Sequence, residues 1–380
     1  MKYYIIAGEA SGDLHGSNLI KELHKLDGNA SVRCWGGDKM EAAGATLVKH
    51  YRHLAFMGFT EVVKNLPTIF RNIAFCKKDI LENHPDVLIL IDYPGFNLRI
   101  AKWARQQGLK IIYYISPQVW AWKENRTHGI KANVDKMLVI LPFEKDFYKK
   151  WNFEVEYVGH PLVEVIEEFK AQHPAATVNS VKKPDTDLPV IALLPGSRKQ
   201  EILIKLPVML EVAKFFPAYK FIVAKAPGLP GEFYDDLLKP YKNVSAVVNK
   251  TYELLNNAKA ALVTSGTATL ETALFAVPEI ICYKGGNISY QIAKRLIKIK
   301  YIGLVNLIMD KEVVKELIQD DLSVNNIVIE LKKLLEDTAT RQQVKQDYDK
   351  LKDILSKGGH ASANAAKSIY GFLQNQLPQQ

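Results

Sequence analysis

Residues Val190–Ile202 read VIALLPGSRKQEI. The apolar run Val190–Leu194 predicts a buried strand, Pro195-Gly196 a tight turn, and the amphipathic segment from Ser197 a helix. Strand, glycine turn and helix in succession form the repeating unit of parallel α/β folds. Gly196 permits a φ that other residues resist and lets a ligand approach the main chain, while Ser197 and Gln200 fit a capping box. The first helical amides, the positive end of the helix dipole and Arg198 then converge where an anion can sit. Taken alone, the pattern reads equally well as an ordinary turn with a solvated arginine.

The alternation continues toward the C-terminus, with strands predicted at Tyr219–Ala224, Val244–Val248, Ala260–Val263 and Glu279–Tyr283. At ALVTSGTATLETA (261–273) a strand meets a second hydroxyl-rich helix start, Ser265-Gly266-Thr267, with Thr269 and Glu271 in its first turns. Two phosphate-competent helix starts in one domain suit a nucleoside diphosphate: hydroxyls and amides for the phosphates, Arg198 for the charge, and Glu271 as acceptor for ribose hydroxyls.

Toward the N-terminus, the strand YYIIA (3–7) runs into GEASGDLHG (Gly8–Gly16), with an amphipathic helix predicted over Ser17–Leu26. The spacing G-x3-G-x3-G is neither a dinucleotide fingerprint nor a P-loop. What it offers is a donor-rich loop carrying Gly8, Glu9, Ser11, Gly12, Asp13 and His15, or simply a capped βα connection. A strand at Val32–Trp35 follows, and then the apolar stretch Leu54–Ile80, which reads as core with a subset suited to an acyl pocket or, beside Arg71, Lys77 and Lys78, to a membrane. PDVLILID (85–92) is the pattern of a buried parallel strand ending in a carboxylate. Ligand crevices lie outside such carboxyl ends, so Asp92 is placed for chemistry, with a turn or helix-cap aspartate as the alternative. After a helix at Arg99–Gln107 and a strand at Lys110–Ile115 comes SPQVWAW, where Trp120 and Trp122 beside Gln118 suit a sugar or acyl group, or core packing. A strand at Lys136–Leu141 precedes VGHPL (158–162).

Length favours two domains, and residues 170–189, poor in large apolar side chains, read as a linker or exposed loop. The divisions are residues 1–169, 190–340 and a helical segment 341–380 expected to return to the first domain. Two stacks of βα units imply two doubly wound, Rossmann-like parallel-sheet domains facing a cleft. With three scattered cysteines and no CxxC pair, no signal-peptide pattern and no span-length apolar run, a reduced, cytoplasmic setting is expected. A net charge of +9 favours an anionic partner. The basic residues are spread along the chain without a nucleic-acid motif, so nucleic acid is not expected. No DxD motif offers a metal-held donor, and His50 and His53 in HYRH lack a third ligand nearby, so neither metal nor cofactor is expected.

Read in order, AGEASGDLHG (7–16), MGFTEV (57–62), IDYPGFNLR (91–99), SPQVWAW (116–122), LPFE (141–144), VGHPL (158–162), LLPGSRKQEI (193–202), SGTATLETA (265–273) and YIGLVNLIMDKEVVKELIQ (301–319) closely resemble the lipid A disaccharide synthases. These are inverting glycosyltransferases of the GT-B fold, and the resemblance covers nearly the whole chain. It implies transfer of 2,3-diacylglucosamine from UDP to the 6-hydroxyl of 2,3-diacylglucosamine 1-phosphate, with Asp92 as base and Arg198 on the diphosphate. It also implies a substrate-binding set of Gly8, Glu9, Ser11, Gly12, Asp13, Met57, Gln118, Trp120, Gly196, Ser197, Ser265, Gly266, Thr267, Thr269, Glu271, Asn306 and Glu316. Lys315 stands where the family usually has proline. Acylated substrates and the absence of a span imply peripheral attachment to the anionic inner face of a Gram-negative inner membrane, through Phe56–Lys78 or Lys294–Lys300. A homodimer is compatible with the sequence and not specified by it. The competing reading is another GT-B enzyme acting on UDP-N-acetylglucosamine, an epimerase or a peptidoglycan precursor transferase.

Overall fold

The computed structural model describes residues 1–54, 66–174, 188–226, 229–286 and 300–375. The chain divides into two compact units: Met1–Pro161 together with Leu355–Gln380, and Leu162–Ile354.

The first unit is built on a seven-stranded parallel sheet: β1 (Lys2–Ala7), β2 (Ser31–Gly36), β3 (Thr46–His50), β4 (Val87–Ile91), β5 (Ile111–Tyr114), β6 (Lys136–Val139) and β7 (Glu156–Tyr157), in the order β3-β2-β1-β4-β5-β6-β7. The central strands β1, β4, β5 and β6 are nearly continuous apolar runs because both of their faces are covered. Tyr3, Ile5 and Ala7 point to one face with Ile89 and Ile91, against Leu19, Ile20 and Leu23 of the helix Ala10–Leu26 and Ala365, Ala366 and Ile369 of the helix Ala361–Gln374. Tyr4, Ile6, Leu88 and Leu90 point to the other, against Ile73 and Ile80 of the helix Leu66–Asn83 and Ile100 and Ala104 of the helix Pro94–Gln106. That second layer holds one polar knot: Asp79 accepts from Tyr4 Oη at 2.6 Å and from Arg33 Nε and Nη2 at 2.8 and 2.6 Å. Bidentate pairing offsets the desolvation of the buried carboxylate and keeps its pKa low.

The second unit carries a six-stranded parallel sheet: β8 (Val190–Leu194), β9 (Lys220–Lys225), β10 (Val244–Val248), β11 (Ala258–Thr264), β12 (Glu279–Tyr283) and β13 (Lys315–Ile318), in the order β10-β9-β8-β11-β12-β13. Both sheets thus match the expected doubly wound, Rossmann-like class. Lys315 opens β13 in register with Ile280, its exposed side chain paired with Glu312 Oε1 at 3.0 Å.

The units exchange chain within helices. Pro161–Gln172 leads out of the first unit, and Thr338–Ser356 runs through the second until Leu355 returns, where the sequence reading drew limits at 169 and 341. Residues 170–172, expected in a linker, are helical, and 175–187 lie outside the described residues. The return is anchored inside the first unit: Asn364 Nδ2 donates to Val158 O at 3.1 Å and Tyr157 Oη to Leu355 O at 3.3 Å. Among the described residues no helix is long and apolar enough to cross a membrane.

Candidate active site

In the first unit the site gathers at the carboxyl ends of β1 and β4, neighbours in the sheet with Ala7 opposite Ile91. The apolar strand VLILI delivers Asp92 to its end, where the chain turns sharply into the helix at Pro94. The turn puts two successive non-glycine residues in the left-handed region, Asp92 at φ 41° and Tyr93 at φ 50°. Such residues cost of order 1–3 kcal/mol each, and Tyr93 also precedes a proline, which disfavours helical conformations. The surroundings hold them there. Asn97 Nδ2 donates to Asp92 O at 2.8 Å and Tyr113 Oη donates to the same carbonyl at 2.5 Å, while Tyr93 Oη donates to Leu54 O at 3.2 Å.

The backbone is thereby tied down and the Asp92 carboxyl is pushed up to about 7, chiefly by burial, then by the negative charge of Glu9, against a lowering hydrogen bond from the Tyr93 amide. A carboxyl poised near neutrality is a competent general base. Gly8 makes the assembly possible: a Cβ there would lie 2.3 Å from Tyr93 Cγ, inside the ring's own carbon shell.

GEASGDLHG is not a loop. The helix begins at Ala10, so Ser11, Gly12, Asp13 and His15 sit on its first turns. The glycines serve close packing, a Cβ at Gly12 falling 3.0 Å from Ala7 Cβ. Asp13 is buried and its carboxylate accepts from the amides of Gly37, Met40 and Lys39 at 2.8, 3.0 and 3.2 Å, where it starts the helix Asp38–Ala42. Those acceptor positions are spent on the fold. His15 and His160 are both buried, held down to about 4 and about 3 by desolvation, and His160 further by His15, so both are neutral rings at pH 7. Gln118 is exposed, but Trp120 is 8% exposed, donating Nε1 to Glu144 Oε1 at 3.3 Å and packing edge-on to Phe143. It is a core tryptophan, not an open wall. Met57 lies outside the described residues.

In the second unit the turn after β8 has Gly196 at φ +115°, the left-handed conformation expected of it. The capping box does not form: the helix starts at Lys199, Arg198 is its N-cap residue and no side chain caps it. Ser197 and Arg198 are exposed. Glu201, one turn along, accepts from Arg198 Nη1 at 3.2 Å and lies 3.8 Å from the buried Lys205 Nζ. The sequence reading passed over this pair, although the i, i+3 and i, i+4 spacing was there to find it.

β11 pairs directly with β8, Val263 opposite Leu194, so the second helix start lies beside the first. Ser265 Oγ donates to Ile302 O at 2.9 Å, and Thr269 Oγ1, fully buried, to Gly266 O at 2.8 Å. Gly266 and Thr267 are exposed at the strand end. Glu271 accepts from Tyr252 Oη at 3.1 Å, and burial raises its pKa. Glu316 accepts from the amides of Ile302 and Gly303, both at 3.0 Å, and from Asn306 Nδ2 at 2.9 Å. Asn306 also accepts from the amides of Val313 and Val314 at 2.8 and 3.0 Å. Ser265, Asn306 and Glu316 are therefore one network around residues 302–303. A surface cavity of about 480 Å³, with Lys214, Lys220 and Lys242 in its lining, opens at the amino ends of β9 and β10, the opposite sheet edge from these turns, and is not part of the site.

Two all-parallel Rossmann-like sheets, one with a near-neutral carboxyl at a strand end and the other with a guanidinium-bearing glycine turn, place the chain in the GT-B fold class. Solved structures carry the same fold: UDP-GlcNAc 2-epimerase from Neisseria meningitidis bound to UDP-GlcNAc (TM-score 0.66, 14% identity, 99% of this chain and 100% of that one) and the calicheamicin glycosyltransferase CalG4 (TM-score 0.60, 17% identity, 99% of each). At such identities the likeness is one of fold, and it adds nothing to the epimerase alternative. The family described as lipid-A-disaccharide synthetase matches residues 3–370, and the lipid-A-disaccharide synthase of Geobacter metallireducens is 39% identical over 360 residues, 93% of each chain. The chain belongs to the lipid-A-disaccharide synthetase family.

Proposed function

We propose that the chain transfers 2,3-diacylglucosamine from UDP to the 6-hydroxyl of 2,3-diacylglucosamine 1-phosphate, giving a β-1,6-linked disaccharide 1-phosphate and UDP. The observation that carries the reading is the carboxyl of Asp92, poised at about 7 on a fixed backbone at a strand end. A sugar hydroxyl is a weak nucleophile. Asp92 takes its proton as the new C–O bond forms, a contribution of roughly 10²–10⁴-fold. Negative charge then grows on the departing UDP, where Arg198, the Gly196 turn and the Ser265–Thr267 helix start stabilise it. Asn306 and Glu316 act by fixing the backbone at residues 302–303 beside Ser265. Incubation with both acylated substrates, read by mass spectrometry, tests the reading: a disaccharide 1-phosphate is expected, and its absence overturns it.

The same reading has the enzyme reach lipid-embedded substrates from an anionic membrane surface. The helix Leu66–Asn83 exposes Phe70, Phe75 and Leu81 at 58%, 46% and 45% beside exposed Arg71 and Lys78. Arg99 lies over the Phe70 ring and Lys77 over Trp103, a surface of aromatic rings and cations suited to an anionic interface. Of the other candidate stretch only Lys300 is among the described residues, and its ammonium is paired with Asp310 at 2.9 Å. Co-sedimentation with vesicles should need anionic lipid, fade with salt and weaken in Lys77→Glu/Lys78→Glu; equal binding to neutral vesicles at all salt concentrations overturns the assignment.

A further inference from the structure

The anion site of the second unit already contains an anion of its own. Glu201 Oε2 lies 2.7 Å from the position a Cβ on Gly196 would take, so the carboxylate rests against the bare face of the turn's glycine. Its Oε1 accepts from Arg198 Nη1 at 3.2 Å, and its Oε2 faces Lys205 Nζ at 3.8 Å. Lys205 is 2% exposed, which is rare for an ammonium, and Glu201 is its one ion-pair partner among the described residues. Thr264, at the end of β11, adds a buried hydroxyl with no hydrogen-bond partner among the described residues, and its methyl lies 3.6 Å from the same Cβ position. One carboxylate thus bridges two cations against the backbone that a phosphate would approach.

We propose that Glu201 is the built-in counter-ion of this site: it holds Arg198 in place before ligand binds and yields it to a nucleoside diphosphate, while Lys205 keeps the released carboxylate. Glu201 is a positioning residue in this scheme, and the inference rests on the assignment of Arg198 to the diphosphate. The charges fit the exchange. Arg198 and Lys205 supply two positive charges against one negative, and a diphosphate that engages Arg198 leaves Glu201 paired with Lys205 rather than stranded. The pairing to Arg198 is partly exposed and therefore weak enough to give way. Lys205, being buried, cannot follow the ligand into solvent. Its place in the sequence, one turn beyond Glu201, ties it to the carboxylate.

The test is calorimetric titration of the full chain with UDP and, as the uncharged counterpart, uridine. Removing a like charge a few ångströms from the diphosphate, discounted for partial exposure, should tighten UDP about three- to tenfold in Glu201→Gln while uridine binding stays unchanged. Lys205→Met should weaken UDP by a similar factor, because Glu201 then has Arg198 as its sole counter-ion, and the loss should shrink when both changes are combined. A packing role alone would lower Tm without separating UDP from uridine. Unchanged or weaker UDP binding in Glu201→Gln, with Arg198→Ala still costing affinity for UDP, overturns the counter-ion and leaves the diphosphate assignment standing. If Arg198→Ala leaves UDP binding intact, both fall.

Discussion

The ends of β4 and β8 begin from the same design and finish with opposite properties. Each is a buried apolar strand that turns through a left-handed residue into a helix. At β4 the left-handed positions are Asp92 and Tyr93, residues that resist them, and a cage of hydrogen bonds from Asn97, Tyr113 and Tyr93 holds them there. At β8 the position is Gly196, which adopts it freely, and the charged group beyond it, Arg198, is half exposed. The difference fits the proposed tasks. A base must be desolvated to have a useful pKa, and desolvation demands a rigid enclosure. A cation that receives a ligand's phosphates needs reach and can remain solvated.

The comparison is broken most severely at Asp92. Asp92→Asn preserves shape and removes basicity, so kcat should fall about 10²–10⁴-fold with UDP affinity kept. Near-normal turnover in the purified variant would take Asp92 out of the chemistry. At the other strand end, Arg198→Ala should lower kcat/KM by about 10²–10³, with lysine restoring only part because it lacks the planar fork. Unchanged kcat/KM would move the anion site elsewhere.

The pH profile sharpens the contrast. As the proposed base, Asp92 works as its anion, so the rate should fall as pH drops through about 7, and Glu9→Gln, by removing the negative neighbour, should move that acid limb to lower pH. An unmoved limb would separate Glu9 from Asp92. Glu279 supplies the control. It sits at the amino end of β12, buried, with its carboxyl raised well above the usual range by desolvation, yet far along the strand from any chemistry. The folded form keeps a proton that the unfolded chain loses above about 4.3, so this group destabilises the fold progressively as pH rises. Glu279→Gln should leave kcat alone and flatten the decline of Tm between pH 5 and 8; an unaltered slope would show that Glu279 is ionised in the folded chain.

Much of this was legible in the sequence, for identifiable reasons. Parallel strands covered on both faces are continuous apolar runs, and every strand of that kind was found. β3, β7 and β13 were missed: β3 is only half buried, β7 has two residues, and β13 opens on an exposed lysine. The glycines of GEASGDLHG read as a loop because local propensity disfavours glycine in a helix, and the tertiary contacts of Gly8 with Tyr93, Gly12 with Ala7 and Gly16 with Met40 explain them. The position of Asp92 followed from the strand-end rule, and that of Arg198 from the succession of strand, glycine turn and helix start. Asn306 and Glu316 came from family resemblance alone, since their partners are backbone amides that no side-chain pattern announces.

The helix Ala361–Gln374 has a consequence for how the molecule is made. It lies in the core of the first unit, beside the helix Ala10–Leu26, although the whole of the second unit is translated between them. The second unit is one continuous stretch and can condense as it leaves the ribosome. The first unit cannot finish until the last helix has emerged. Closing a loop of that length around an unfolded insert costs on the order of 5 kcal/mol in chain entropy, so prior folding of the insert lightens the step. A chain that stops short of residue 361 should therefore carry its defect at the opposite end, in the half that was synthesised first.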